Sequence, residues 1–284
     1  MITEARACFN GANTRTLSVG GSGMPFVLLH GFADSADTWR GLMSEFESVG
    51  RRAVAVDLPG FGKADAVAAG AMLPTLDPFV DAVVAAFGSV VLVGNSLGAC
   101  VSVRAAARGS ADIRAVVAVD EPILASHSLS RLARGRRDLV GLIAAGNLVP
   151  KRVYRQAVRR AFAGVLYGDV GMADPAVISR FASQVSDVRS ARRLLSRARG
   201  FAIETADGYD TANLTCPLLI VHGGKDRIIP VHASVRLHNC VPGSTLVVLP
   251  NAGHCPQLDD PAALARHILR YVDARVTGIR DEAG

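Results

Sequence analysis

The sequence predicts an α/β domain, a doubly wound and mostly parallel sheet of eight strands with a helical insertion. Three observations carry that expectation. Short apolar runs recur without strict alternation, as strands do when helices cover both faces of a sheet. Amphipathic helical patterns lie between several of these runs, the alternation that gives parallel sheets. One internal stretch, residues 126–205, breaks the rhythm and carries 15 Arg/Lys against 5 Asp/Glu, whereas the whole chain of 284 residues has a net charge of +6.

The elements read in order. Residues 5–19, with Asn10-Gly11 as the turn, form an N-terminal antiparallel hairpin. Buried strands follow at 26–29, 53–56, 90–93, 115–119, 218–221 and 245–249. Helices are expected at 37–48, where Trp39, Leu42, Met43 and Phe46 recur at helical spacing, and at 76–87, 97–107 and 262–272. The stretch 126–205 has no convincing strand. Patterns such as Leu129 with Leu132, and Leu139, Val140, Leu142 and Ile143, point to short amphipathic helices. The expected division is a core of residues 1–125 and 206–284 and a helical insertion of 126–205. The length suffices for one large domain with such an inserted part.

Composition removes several function classes. Half of the residues are hydrophobic, so the chain folds rather than staying disordered. The basic stretch lacks aromatic interleaving and any nucleic-acid motif, so no nucleic-acid partner is expected. Cys8, Cys100, Cys216, Cys240 and Cys255 are odd in number and contain no CxxC, which fits reduced thiols in a cytoplasmic protein better than disulfides or a zinc site. Residues 82–103 carry no charge, but Gly88-Ser89 and Gly94-Asn95-Ser96 divide them into pieces of strand and helix length, so no membrane insertion is expected.

The chemistry centres on Gly94-Asn95-Ser96-Leu97-Gly98, between an apolar strand and a helical run of small residues. A nucleophilic serine must project from a strained turn, and small residues two positions to either side let strand and helix approach. By itself the pattern is also compatible with a plain tight turn. Serine needs a base. His254 lies in a loop after strand 245–249, held there by Gly253 and Pro256, although a lone loop histidine is more often a surface residue. The imidazole needs an orienting acid. Asp226, in the loop after strand 218–221, is preferred over Asp120 at the end of strand 115–119, because its loop and the order Ser…Asp…His fit. Otherwise Asp226 reads as an Asx turn or a helix cap. A tetrahedral intermediate also needs two backbone donors. The N–H of Phe32, in His30-Gly31-Phe32-Ala33, and that of Leu97 are the candidates, with His30 structural beneath the loop. Cys255 and Cys100 read as small packing residues.

Taken together, His30-Gly31-Phe32, Asp57-Leu58-Pro59-Gly60-Phe61-Gly62, Gly94-Asn95-Ser96-Leu97-Gly98, Gly223 to Asp226 and Gly253-His254 give the chain a resemblance to serine hydrolases of the α/β-hydrolase fold. The motifs run from about residue 25 to 272 in that family's order. The resemblance implies that 126–205 is a cap over the active site and that Asp57 to Gly62 is a structural turn. It also implies acyl transfer to water through Ser96, His254 and Asp226, with no metal or organic cofactor. A carboxylic ester or lactone is the expected substrate, a small acyl compound, with an anionic group as an option that the basic cap leaves open. Carbon–carbon bond hydrolysis of the meta-cleavage type is an alternative suggested by Asn95 and the arginine-rich cap. Thioester hydrolysis is another, and a hydrolase-fold receptor is the non-enzyme alternative. The departures from the meta-cleavage pattern are Phe32-Ala33-Asp34-Ser35 after His-Gly, and Cys255-Pro256-Gln257 where a tryptophan is usual. Leu142, Ile143, Leu148, Val149, Phe162 and Leu166 are candidates for the cap wall. Of the pairs Arg136-Arg137, Arg159-Arg160 and Arg192-Arg193, at most one or two cations can face inward, because desolvating all of them is prohibitive. A monomer or a homodimer fits equally.

Overall fold

The computed structural model describes residues 1–68, 70–110, 112–122, 150–208 and 210–277. Eight strands form one sheet: β1 (Thr3–Phe9), β2 (Ala12–Val19), β3 (Ser22–Leu29), β4 (Arg51–Val56), β5 (Val90–Asn95), β6 (Ile113–Val119), β7 (Leu218–Gly223) and β8 (Thr245–Leu249), in the order β1-β2-β4-β3-β5-β6-β7-β8. β2 runs antiparallel to both neighbours, and the pairs from β4 to β8 are parallel. The expected hairpin is present, with Asn10 and Gly11 both at positive φ, as a two-residue turn between twisted strands requires.

Helices α1 (Arg40–Ser48), α2 (Leu73–Phe87) and α3 (Leu97–Ala107) belong to the first half of the core. Among the described residues, α4 (Lys151–Leu166), α5 (Pro175–Ser183) and α6 (Val188–Glu204) lie between β6 and β7. The second half of the core adds α7 (His232–Cys240), the short α8 (Pro256–Asp259) and α9 (Pro261–Val272). Along β5, Val90 and Leu92 pack in one apolar cluster with α2 and α3, and Val91 and Val93 in another with α1 and α9. Both faces of the strand are buried, which is why its sequence shows no polar alternation.

Two boundaries differ from the sequence reading, each for a tertiary reason. α2 begins at Leu73 rather than 76 because the Glu204 carboxylate, from the end of α6, accepts the N–H groups of Met72 and Leu73 at 2.7–2.8 Å. A distant residue thus caps a helix that has no side-chain cap of its own. The helix expected at 37–48 starts as a 3-10 turn, Ala36–Trp39, where the Ala36 N–H donates to Asp57 at 2.6 Å. Asp57 is fully buried against Arg15, whose Nε donates to it at 2.8 Å. A Cβ on Gly62 would fall 2.3 Å from the Asp57 carboxyl carbon, so the Asp57-to-Gly62 segment is a structural turn, as expected.

The described part of the insertion, from residue 150 on, is helical, as expected. Asp174 caps α5, and Asp187 with Ser190 forms a capping box on α6. The boundary at residue 126, and Leu129, Leu132, Arg136, Arg137, Leu139, Val140, Leu142, Ile143, Leu148 and Val149, lie outside the described residues. Among the described residues no helix is long and apolar enough to cross a membrane.

Candidate active site

β5 ends at Asn95 and α3 begins at Leu97, leaving Ser96 alone in the turn. Its backbone sits at φ 52° and ψ −113°, a strained region that costs about 1–3 kcal/mol for a residue with a side chain. Surrounding contacts hold it there. The Ser96 N–H donates to the Val119 carbonyl at 2.8 Å, and the Ser96 carbonyl accepts the Cys100 N–H at 2.9 Å. Strand and helix cross so tightly that a Cβ on Gly94 would lie 2.2 Å from the carbonyl carbon of Gly98. A Cβ on Gly98 would lie 2.0 Å from the Leu29 oxygen. This close crossing is the reason for glycine at both positions.

Leu97 is the first residue of α3, so its N–H has no acceptor within the helix. The loop after β3 runs beside the turn: a Cβ on Gly31 would stand 3.5 Å from the Ser96 Cβ. Phe32, the next residue, lines the same cavity as Ser96. His30 is fully buried beneath the loop. Its Nδ1–H donates to the Gly31 carbonyl at 2.8 Å, and its Nε2 accepts the Leu58 N–H at 2.9 Å. Burial lowers its pKa, so it stays neutral and structural.

The structure brings His254 and Asp226 together. The His254 Nδ1–H donates to Asp226 Oδ2 at 2.7 Å. With the proton on Nδ1, the lone pair is on Nε2. Asp226 Oδ1 accepts the N–H groups of Ile228 at 2.6 Å and Ile229 at 3.0 Å. Burial opposes its charge, but His254 and these backbone donors outweigh burial and hold its pKa below the usual carboxylate range. The histidine loop is locked on two sides. A Cβ on Gly223 would meet the Gly253 oxygen at 1.9 Å, and the Cys255 N–H donates to the Leu166 carbonyl of α4 at 3.1 Å. Asn95 ties that loop to the serine turn, its Nδ2 donating to the His254 carbonyl at 3.0 Å.

Ser96, His254 and Phe32 open onto one cavity of about 200 Å³. Its walls are apolar: Phe162, Val165 and Leu166 from α4, Phe181 from α5, Leu194, Ala198 and Phe201 from α6, and Ile228 and Ile229 from the loop after β7. Two of the six residues expected in the wall, Phe162 and Leu166, are there. The described arginine pairs, Arg159-Arg160 and Arg192-Arg193, are exposed and absent from the lining. Cys100 and Cys255 are buried and burial raises both thiols well above their ordinary pKa, so they are packing groups, as expected.

A family model described as "Alpha/beta hydrolase family" matches residues 26–267. The chain belongs to that family. It is 29% identical, over 94% of its length and 68% of that protein's, to the dihydrolipoyllysine-residue acetyltransferase component of the acetoin cleaving system of Pseudomonas putida. It is 26% identical to the 2-(acetamidomethylene)succinate hydrolase of Mesorhizobium japonicum, over 89% of this chain and 90% of that one. The same fold is found in a solved serine hydrolase involved in carbazole degradation, the CarC enzyme, with a TM-score of 0.71 at 20% identity, covering 97% of this chain and 100% of that one.

Some residues of this hydrolase-family site escaped the sequence reading. Ile228 and Ile229 wall the cavity, and an apolar pair directly after the acid loop was the available signal. Gln184 donates its side-chain N–H to the Ala33 carbonyl, and Arg180 pairs with Asp34 at 3.3 Å, so cap residues grip the loop that carries Phe32. The Arg197 guanidinium stacks on Phe61 at 4.6 Å, and Phe61 meets Phe32 edge-on at 5.3 Å. No local pattern marked these, because each depends on how a cap helix is turned.

Proposed function

We propose that the protein is a serine hydrolase that cleaves a carboxylic ester or lactone through an acyl-enzyme. The observation that carries this reading is the hydrogen-bonded His254–Asp226 pair, opening on the same apolar cavity as a serine held on a strained strand-to-helix turn. Ser96 Oγ attacks the carbonyl carbon while His254 Nε2 takes its proton. The oxyanion is received by the N–H groups of Phe32 and Leu97, with the N-terminal end of α3 adding its favourable dipole. His254 then returns the proton to the leaving oxygen, the ester C–O bond breaks, and Ser96 retains the acyl group. Water, deprotonated by the same imidazole, attacks the acyl carbon, the bond to Ser96 Oγ breaks as Oγ takes the proton back from His254, and the acid leaves. Asp226 fixes the imidazole tautomer and stabilises its charged form.

The wall chemistry favours a compact, apolar acyl group. An anionic substrate draws no support from the described arginine pairs, which face away from the cavity. Asn95, the residue that suggested carbon–carbon hydrolysis, is occupied in tying the serine turn to the histidine loop. A panel of p-nitrophenyl esters of rising acyl length tests the reading. Turnover with short and medium chains, lost in Ser96→Ala, is the expected result. Absence of turnover on every acyl substrate, with ligand-induced stabilisation intact, would instead identify a receptor.

A further inference from the structure

Behind Asp226 lies a second carboxyl that the proposed mechanism does not use. Asp120, at the end of β6, is fully buried, and its backbone sits at φ 49°. Its Oδ1 accepts the Gly223 N–H at 2.9 Å, while its Oδ2 is buried without a partner among the described residues. Oxygen or nitrogen atoms of Asp120, His222 and Asp226 all lie within 4.8 Å of one another. His222 Nδ1 stands 3.2 Å from Asp120 Oδ1, but that nitrogen carries no proton to donate. Its Nε2–H donates to the Ile229 carbonyl at 3.1 Å, and its Nδ1 accepts from Ser234 Oγ at 2.8 Å. Burial keeps that imidazole neutral. The same commitments argue against a cation here, since both ring nitrogens and Asp226 are taken by protein groups. Two buried carboxylates side by side, with no positive group between them, would repel strongly.

We infer that Asp120 is a protonated carboxyl that donates its hydrogen bond to Asp226, making it a positioning residue for the His254–Asp226 pair. Asp226 then accepts from His254, from Ile228 and Ile229, and from Asp120, which fixes the carboxylate plane and tempers its basicity. The surroundings agree. Burial comes first, and the charge of Asp226 second, in pushing the Asp120 carboxyl well above its ordinary pKa, with Asp259 adding in the same direction. Cys255, His254 and the neutral His222 also face the pair, and Cys255 stays a neutral thiol. The inference deepens the proposed hydrolase mechanism and rests on it only for the kinetic part.

The sign of the pH effect follows from linkage. Below about pH 4, folded and unfolded chains both hold the Asp120 proton. As pH rises, the unfolded chain releases it and the native chain must keep it, so the wild type loses stability that an amide at this position would not lose.

The test compares Asp120→Asn, which keeps a neutral donor, with Asp120→Leu, which removes it. Melting temperatures from pH 4 to 9 are expected to favour Asp120→Asn over wild type by a margin that widens by several degrees as pH rises. A margin that stays flat across that range would overturn the inference, whatever the activity. In kinetics, Asp120→Asn is expected to keep kcat/KM within about 3-fold of wild type. Asp120→Leu is expected to lose about 10-fold or more, mostly in kcat, with the acid limb of the pH profile displaced upward. Equal damage in both variants would mean that Asp120 acts as a charge and would also overturn it. If Asp120→Leu does not fold, the Asp120→Asn pair decides alone. Turnover that survives Ser96→Ala would sink the hydrolase reading instead, and leaves the melting experiment to judge Asp120.

Discussion

The core and the cap meet at one cavity, yet they build it differently. Every group that the proposed mechanism places on reacting atoms sits just past the end of a core strand: Phe32 after β3, Ser96 and the first helical residue Leu97 after β5, and His254 after β8. Asp226, after β7, holds the histidine. Glycines at 94, 98, 223 and 253 let these loops approach to distances that no other residue would permit. The cap contributes mainly helix faces. Phe162, Leu166, Phe181 and Leu194 form a smooth apolar wall, while most of the cap's charge points to solvent. The contrast teaches that, in the proposed mechanism, reactivity rests on backbone geometry, whereas selectivity rests on the orientation of amphipathic helices.

Substitutions in the two regions should therefore fail in different ways. The largest effect belongs to Asp226→Asn, expected to lower kcat about 10⁴-fold on every ester alike, because the imidazole loses its tautomer control. A dependence on acyl length in that variant would blur the division between core and cap. Next in size, Arg15→Met strands Asp57 as a buried, unpaired charge and should cost about 3–5 kcal/mol of stability in chemical denaturation, with kcat per folded molecule retained. Loss of activity without loss of stability would contradict it.

Cap variants should redistribute specificity. Phe162→Ala enlarges the wall and is expected to change kcat/KM between short and longer acyl chains by about 1–3 kcal/mol, while activity on acetyl esters persists. A uniform loss across chain lengths would place Phe162 with the reactive machinery. The smallest effect is expected at the exposed cations. Arg192→Ala with Arg193→Ala should move stability by less than about 0.5 kcal/mol. It should also leave the ratio of neutral to carboxylate-bearing esters unchanged at any salt concentration. A selective fall for the charged esters would show that the basic cap reaches the substrate.

The same division explains what could be read from the chain alone. Strands buried on both faces leave uninterrupted apolar runs, so all six parallel strands were legible, as was the Asn10-Gly11 hairpin. Candidate residues on strand-end loops leave local signatures in glycine and proline, which is why Ser96, Asp226 and His254 stood out from other residues of their kinds. The cap left a periodicity but no orientation. Leu166 and Phe162 could be placed on apolar faces, yet nothing in the spacing told which face met the cavity. Contacts between distant elements were invisible for the same reason. The carboxylate of Glu204 sets the start of α2 from more than a hundred residues away, and Gln184 reaches back to Ala33. Asp120 was visible as a rival acid, but its role behind Asp226 emerges only when β6 and β7 are laid side by side.

The central claim is that the strained turn presents Ser96 as a nucleophile activated by His254. Labelling with a fluorophosphonate probe, followed by peptide mass mapping, tests it most directly. The account predicts one adduct, on Ser96, formed in the wild type, absent in Ser96→Ala and formed far more slowly in His254→Ala. An adduct on another residue, or labelling that proceeds at the wild-type rate without His254, would contradict it.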